Sequence, residues 1–118
     1  MSQHHFSTTR MGTSVHVLLG WDRPLSRHFM VVETAAQQQG RDEERYLYSN
    51  LTDPEAALHD PDLDYFRGKL VDLGIKVPDS LFVEVARDAA QNVGNRVVHH
   101  AADGTIAERV PANAGARL

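Results

Sequence analysis

The sequence predicts an α+β domain, an antiparallel sheet of four or five strands with two helices packed on one face. Two hairpin patterns, one near each end of the chain, enclose two amphipathic helices in the order β-β-(β)-α-α-β-β. The strand–helix alternation of a parallel nucleotide-binding sheet is missing. The length of 118 residues suits one domain, which we expect at 13–110, after a flexible extension at 1–12 and before a disordered tail at 111–118.

The first hairpin is predicted from two β-rich runs between residues 14 and 34. The first run alternates, so Val15, Val17, Leu19 and Trp21 share one face, and the second run is β-branched and aromatic from Phe29 to Val32. Pro24 stiffens the connection between them. The phase of alternation favours an inward Trp21, leaving only residues 22–26 exposed; the alternative is a contact loop that presents Trp21 with Arg23.

A polar stretch at 35–45 predicts a long exposed loop, and Tyr46–Tyr48 follows as a possible third strand. The first helix is expected to begin at Asp60-Pro61, with Asp60 as N-cap, and to end at Gly74. Its inward stripe consists of four residues at helical spacing, Leu63, Phe66, Leu70 and Leu73.

The second helix is expected to start near Pro78 and to stop at Gly94. Its apolar face consists of Leu81, Phe82, Val85, Ala89 and Val93. Two short β-rich runs follow, at 96–100 and 105–110, and Asp103-Gly104 between them tolerates the positive φ of a tight turn. The chain therefore ends in a second hairpin.

Composition excludes several classes of protein. The chain contains no cysteine, which rules out disulfides, thiolate nucleophiles, iron–sulfur clusters and cysteine-bound zinc. No apolar run approaches the roughly 20 residues that span a bilayer, and the start lacks a secretory signal, so we expect no membrane contact and a cytoplasmic location. Met11 is an alternative start. Only Lys69 and Lys76 are lysines among 12 basic residues, an arginine bias that hints at a bacterial source.

Two groups of side chains invite a metal-site interpretation. The acidic stretch from Asp53 to Asp64 opens like a calcium loop, but Tyr65 and Val71 stand where that loop needs Gly and Glu, so we interpret these carboxylates as helix-capping groups. The seven histidines show no ligand spacing, and adjacent His99 and His100 must point to opposite faces of a strand. We therefore predict exposed or core-edge histidines, no metal site and no cofactor.

A polar cluster at the end of the second helix supplies the main candidate binding residues. These are Asp88, Asn92, Asn95, Arg96, His99 and His100, to which the first hairpin loop adds Asp22 and Arg23. The cluster could bind a small ligand in a cleft beside the C-terminal hairpin. We favour the interpretation that these are ordinary helix-ending and solvated residues, because each has a local role in ending the helix or facing solvent. No catalytic residue is predicted, because no nucleophile elbow or phosphate-binding glycine loop is present.

The leading functional prediction is a small non-enzymatic protein that acts by binding another protein. A small-ligand-binding protein or enzyme that uses the polar cleft is the alternative. A nucleic-acid-associated accessory protein is third, because the net charge of −4 opposes phosphate binding. That third reading requires five arginines on one face of the sheet: Arg23, Arg27, Arg87, Arg96 and Arg109. A homodimer formed through a sheet edge is also possible.

Overall fold

The computed structural model describes residues 1–34 and 46–109 and has the predicted α+β class. The predicted loop at 35–45 and tail at 111–118 lie outside the described residues. The strands are β1 (Ser2–Arg10), β2 (Thr13–Asp22), β3 (Arg27–Thr34), β4 (Tyr46–Ser49), β5 (Arg96–His100) and β6 (Ile106–Arg109). The helices are α1 (Pro54–His59), α2 (Leu63–Asp72) and α3 (Asp79–Gln91), and a 3₁₀ turn, Asn50–Thr52, follows β4.

The described strands form one six-stranded sheet in the order β4-β3-β2-β1-β5-β6. Both predicted hairpins are present, as β2–β3 and β5–β6, and β4 is the possible third strand. The prediction of four or five strands, all antiparallel, is wrong in number and direction, because β1 adds a strand and pairs in parallel with β5. The prediction of two helices is likewise one short.

The flexible extension predicted at 1–12 is wrong for residues 2–10, which form a strand in the interior of the sheet. β1 pairs with β2 from Ser2 to Arg10 and with β5 from Ser2 to Phe6. Hydrogen bonds to strands on both sides therefore satisfy much of its backbone. Its inward side chains are Ser2, His4 and Phe6, which are all buried. Polar residues occupy two of these three positions, so the run lacks an apolar pattern.

The aspartates of the acidic stretch cap two helices. Asp53 accepts from two backbone amides at the start of α1, where Pro54 occupies the first turn, and the Asp62 side chain accepts from Tyr65 N at the start of α2. Asp60 is therefore not the N-cap of the longer helix. It ends α1 instead, in a left-handed conformation with φ of 44°. These contacts confirm the capping interpretation, although they place the caps at different residues.

The last helix ends two residues earlier than predicted. α3 stops at Gln91, and Asn92 adopts the left-handed C-cap conformation with φ of 52°. Asparagine tolerates this conformation better than most residues, so Gly94 is not needed to end the helix. Val93 lies beyond the helix, where its N–H donates to Asp88 O at 2.9 Å. In α2 the predicted end is confirmed, because Gly74 has φ of 74°.

The core lies between one face of the sheet and helices α2 and α3. The strands contribute Phe6, Val15, Val17, Leu19, Met30 and Val32, and the helices contribute Phe66, Leu70, Leu81, Phe82 and Val85. Among the described residues, no buried hydrophobic side chain belongs to the opposite face of the sheet. Within this same described part, no helix is long and apolar enough to cross a membrane.

Gly20 lies on that opposite face at a point where neighbouring groups leave no space for a side chain. A Cβ added at this residue would lie 2.1 Å from Ser2 O and 2.5 Å from Cζ of Phe29. The Phe29 ring therefore packs directly over the backbone of β2. This contact positions Phe29 on the face where the surface described below is formed.

Candidate functional site

A buried hydrogen-bonded network connects β1 to α3 and β5. His4 Nε2 lies 2.6 Å from Asp88 Oδ2, and His4 Nδ1 lies 2.9 Å from His100 Nε2. His100 Nδ1 in turn lies 2.9 Å from the Ser80 hydroxyl. His4 is fully buried, Asp88 is 1% exposed and His100 is 7% exposed. The prediction that the histidines are exposed or at the core edge is therefore wrong for His4, because polar contacts satisfy its ring in the interior.

The network fixes a proton on each ring. An ionised Asp88 can only accept, so His4 Nε2 carries a hydrogen and His4 Nδ1 accepts the Nε2–H of His100. His100 Nδ1 then accepts the hydroxyl hydrogen of Ser80. Burial lowers the pKa of His4, and burial together with the nearby His4 lowers the pKa of His100 to about 4. Both rings are therefore neutral at pH 7.

Arg96 supplies the positive charge that balances this buried carboxylate. Its guanidinium donates to Asp88 Oδ1 at 2.7 Å, to Glu84 at 2.8 Å and to Glu108 at 3.1 Å. Burial opposes the charge on Asp88, but hydrogen bonds from His4, Arg96 and Ser2 outweigh that penalty and lower its pKa. Likewise, the three carboxylates outweigh the burial of Arg96 and raise its pKa. Every member of the network is thus paired.

The order Ser80–His100–His4–Asp88 has the connectivity of an activated serine nucleophile, yet two observations oppose that chemistry. A base with a pKa of about 4 removes few protons from an alcohol at neutral pH. Moreover, none of these four side chains lines either of the two cavities described below. The hydrogen bonds of this network join β1, α3 and β5.

The predicted polar cleft is filled by its own side chains. Asp88, Arg96 and His100 meet as predicted, but their contacts are with one another and with His4. Two other candidates bind elsewhere. Asn92 accepts the indole N–H of Trp21 at 3.2 Å, and Asn95 accepts from the amino group of Met1 at 3.2 Å. Trp21 therefore faces the same side of the sheet as the core residues of β2, but it is only half-buried, and its polar contact holds it at the edge of the core.

His99 lies on the opposite face from His100, as predicted, and belongs to a second group of histidines. Its ring stacks on His5 at 4.9 Å between centroids. His5 Nδ1 lies 2.8 Å from His16 Nε2, and His16 Nδ1 lies 2.9 Å from the Ser7 hydroxyl. In the part of the chain that is described, no group of three or more His, Cys, Asp or Glu residues could hold a metal ion.

A concave surface runs along β3, on the sheet face away from α2 and α3. One cavity of about 310 Å³ lies beside Leu25, Phe29 and Ala57, and a second of about 590 Å³ lies beside Leu18 and Tyr46. The two cavities share Val31 and Leu51, so they adjoin. We call this surface the β3 groove and define it by Leu18, Leu25, Phe29, Val31 and Leu51.

Two leucines at the groove are unusually exposed. Leu51 is 86% exposed and Leu25 is 67% exposed. Leu51 follows the end of β4 in the 3₁₀ turn, and Leu25 lies in the first hairpin loop, where Asp22 Oδ1 accepts from Leu25 N at 3.3 Å. Asp22 also lines the groove. The side chain of Arg23 lies against Gly94. A Cβ atom added at Gly94 would lie 3.1 Å from Nη1 of Arg23.

Charged and polar groups surround one end of the groove. Arg27 donates to Asp60 at 3.1 Å and to Ala56 O at 2.9 Å. His28 Nδ1 is buried in the wall and has no hydrogen-bond partner among the described residues. Burial lowers the pKa of His28, opposed by the negative charges of Asp60 and Asp62. The groove is therefore apolar at its centre and acidic at this end.

Two residues, His4 in the buried network and Leu51 in the β3 groove, are not among the candidates that the sequence predicts. The alternation of Ser2, His4 and Phe6 was a signal for β1, although an apolar pattern did not support it. The exposure of Leu51 depends on where β4 ends, which the pattern does not show. No protein-family model, curated protein or solved structure matches the chain.

Proposed function

We propose that this protein acts by protein–protein contact, binding an apolar segment of another protein in the β3 groove. The observation that carries the proposal is the continuity of two cavities along β3, with Leu25 and Leu51 exposed at their rim. Scattered apolar residues are normal on a protein surface, but leucines around a concave apolar surface favour a binding site. The first hairpin loop contributes to it, though through Leu25 and Asp22 rather than Trp21.

The filled cleft weakens the small-ligand and enzyme alternative. A binding cleft needs polar groups that remain available to a ligand. Asp88 and His100 instead form their hydrogen bonds with His4, Arg96 and Ser80. The placement of two arginines also weakens the nucleic-acid alternative, which requires one shared face of the sheet. Arg96 contacts Glu84 and Asp88 of α3, whereas Arg27 lines the groove on the face away from that helix.

Site-specific photocrosslinking tests the proposal. A photoreactive phenylalanine analogue replaces Leu51 in the full chain inside the native cell, and the control carries it at Val71, which is 70% exposed on α2 and does not line the groove. We expect a discrete crosslinked protein from position 51 and none of the same size from position 71.

The same experiment in a Leu25→Ser background makes the test specific to the groove. Leu25 is exposed, so a small polar residue there removes the apolar contact, adds no charge and leaves the fold intact, which a circular dichroism melt verifies. The crosslink from position 51 should fall at least fivefold in this background. Equal crosslinking from both positions, or a product that Leu25→Ser does not reduce, would overturn the proposal.

A further inference from the structure

We infer that the segment bound in the β3 groove is an amphipathic helix with basic residues beside its apolar face. This inference rests on the proposed function and specifies the partner of the same site. Three properties of the groove support this inference. They are the hydrogen bonds that the β3 backbone already forms with β4 and Asn50, the length of the groove, and the sign of the charge at its end.

The backbone contacts favour a helix over an added strand. β4 pairs with β3 only from Val31 to Glu33, and beyond that point Met30 N–H donates to the Asn50 side chain at 3.3 Å. An incoming strand would therefore have to displace Asn50 to reach this donor. A helix satisfies its own backbone hydrogen bonds and needs only side-chain contacts in an apolar groove.

The length of the groove matches a helix of ordinary size. From Arg27 to Glu33 the β3 backbone advances about 20 Å at roughly 3.3 Å per residue. A helix covers that distance in about 13 residues at 1.5 Å per residue. This corresponds to between three and four turns, enough to place apolar anchors at i, i+3 or i+4, and i+7. The two adjoining cavities accept such anchors on either side of Val31 and Leu51.

The charge at one end of the groove favours a basic partner. Asp22 lines the groove, and Asp60 and Asp62 flank Pro61, which also lines it. Two cationic groups stand against these three carboxylates: Arg27, which Asp60 already engages, and the amino group of Met1, which lines the same cavity and donates to Asn95, so the balance stays negative. An arriving lysine or arginine would find an attractive potential, whereas an acidic segment would be repelled.

Two synthetic helical peptides of about 18 residues, both labelled with a fluorophore, test this inference. They share one leucine face and differ only in the flanking positions, which are Lys in one peptide and Glu in the other. Fluorescence anisotropy with the full chain should show at least tenfold tighter binding of the Lys peptide at low salt. Because the preference is electrostatic, it should shrink at higher ionic strength.

Charge-removing variants identify the carboxylates responsible. Asparagine caps helices and tolerates left-handed φ, so Asp60→Asn and Asp62→Asn together remove two charges while keeping the local backbone. The Lys peptide should bind 3- to 10-fold more weakly to this double variant. Asp79→Asn, at an exposed residue that does not line the groove, is the matched control and should leave binding unchanged.

The outcomes separate this inference from the proposed function. If Leu51→Ser weakens the binding of both peptides and the two bind equally, the groove binds apolar helices but the basic partner is wrong. Tighter binding of the Glu peptide would also overturn the basic partner. If neither peptide binds, or if Leu51→Ser has no effect while the variant retains its circular dichroism melt, the helix inference fails. The crosslink from position 51 then decides the proposed function independently.

Discussion

Lowering the pH from 7.5 to 5 should destabilise the folded protein by about 2 kcal/mol through His100 alone. Its pKa is about 4 in the folded state, against 6.5 for an ordinary histidine. Between these values the unfolded chain binds a proton that the folded chain does not, so stability is complete above pH 6.5 and falls as the pH approaches 4. At pH 5 the difference is about 1.5 pKa units, at roughly 1.4 kcal/mol each. His4 contributes in the same direction.

Urea unfolding at several pH values measures this effect. Trp21 is the single tryptophan and reports on tertiary structure, while far-ultraviolet circular dichroism reports on the helices. The low pKa of His100 predicts a change in the free energy of unfolding that is well above the error of such measurements. A free energy of unfolding that stays within about 0.5 kcal/mol between pH 7.5 and 5 would therefore refute the link between this pKa and stability.

A variant isolates the contribution of His100. In His100→Gln the amide can donate to His4 and accept from Ser80, so both contacts survive without a titrating ring. The pH dependence should shrink by about 2 kcal/mol. His59→Gln is the control, because His59 is 72% exposed on α1 and its removal should leave the pH dependence as it is. An unchanged pH dependence in His100→Gln would show that another group is responsible.

Three further substitutions test other contacts by urea unfolding. Arg96→Met leaves a buried carboxylate without its cation and should cost about 3–5 kcal/mol; a loss below 1 kcal/mol would mean that the ion pairs are replaceable. Gly20→Ala should cost about 1–3 kcal/mol of stability by overpacking. Gly68→Ala is the control and should be neutral or stabilising, because no atom lies within 4 Å of a Cβ added at this residue of α2. Equal effects of the two substitutions would contradict the close contact at Gly20. Tyr65→Phe removes one of the two hydroxyls that lie 2.6 Å from Asp53 and should cost about 1 kcal/mol, and no loss would show that the bond contributes nothing.

The elements that follow from periodicity could be predicted, because burial imposes a repeat on the sequence. The two runs of the first hairpin alternate, and Phe66 and Leu70 repeat at helical spacing and are buried in α2. α1 could not be found in this way, since it has six residues and one buried side chain, Ala56. The start of α1 depends on the cap at Asp53. In the sequence, Asp53-Pro54 indicates only that the preceding strand has ended.

Hydrophobic alternation does not predict β1, because two of its three inward positions, Ser2 and His4, are buried by hydrogen bonding rather than by hydrophobicity. Ser2 and His4 look solvated in the sequence, and their hydrogen bonds with Asp88, His100 and the backbone N–H of Trp21 explain why the interior accepts them. The same reason limited the prediction of the site. The sequence groups Asp88, Arg96 and His100, but because it places His4 in an extension, it predicts an open cleft at this cluster.

The position of β1 has a consequence for how the chain folds. The His4–His100 hydrogen bond joins residues 96 positions apart in the sequence, whereas β1, β2 and β3 are successive antiparallel neighbours that can pair early. Contacts between distant segments slow folding, so docking of β5 should be a late step. Until then one side of β1 exposes unpaired N–H and C=O groups, which can pair with another chain and promote aggregation. A chain started at Met11 would lack β1 altogether and would leave β2 and β5 without the strand that joins them.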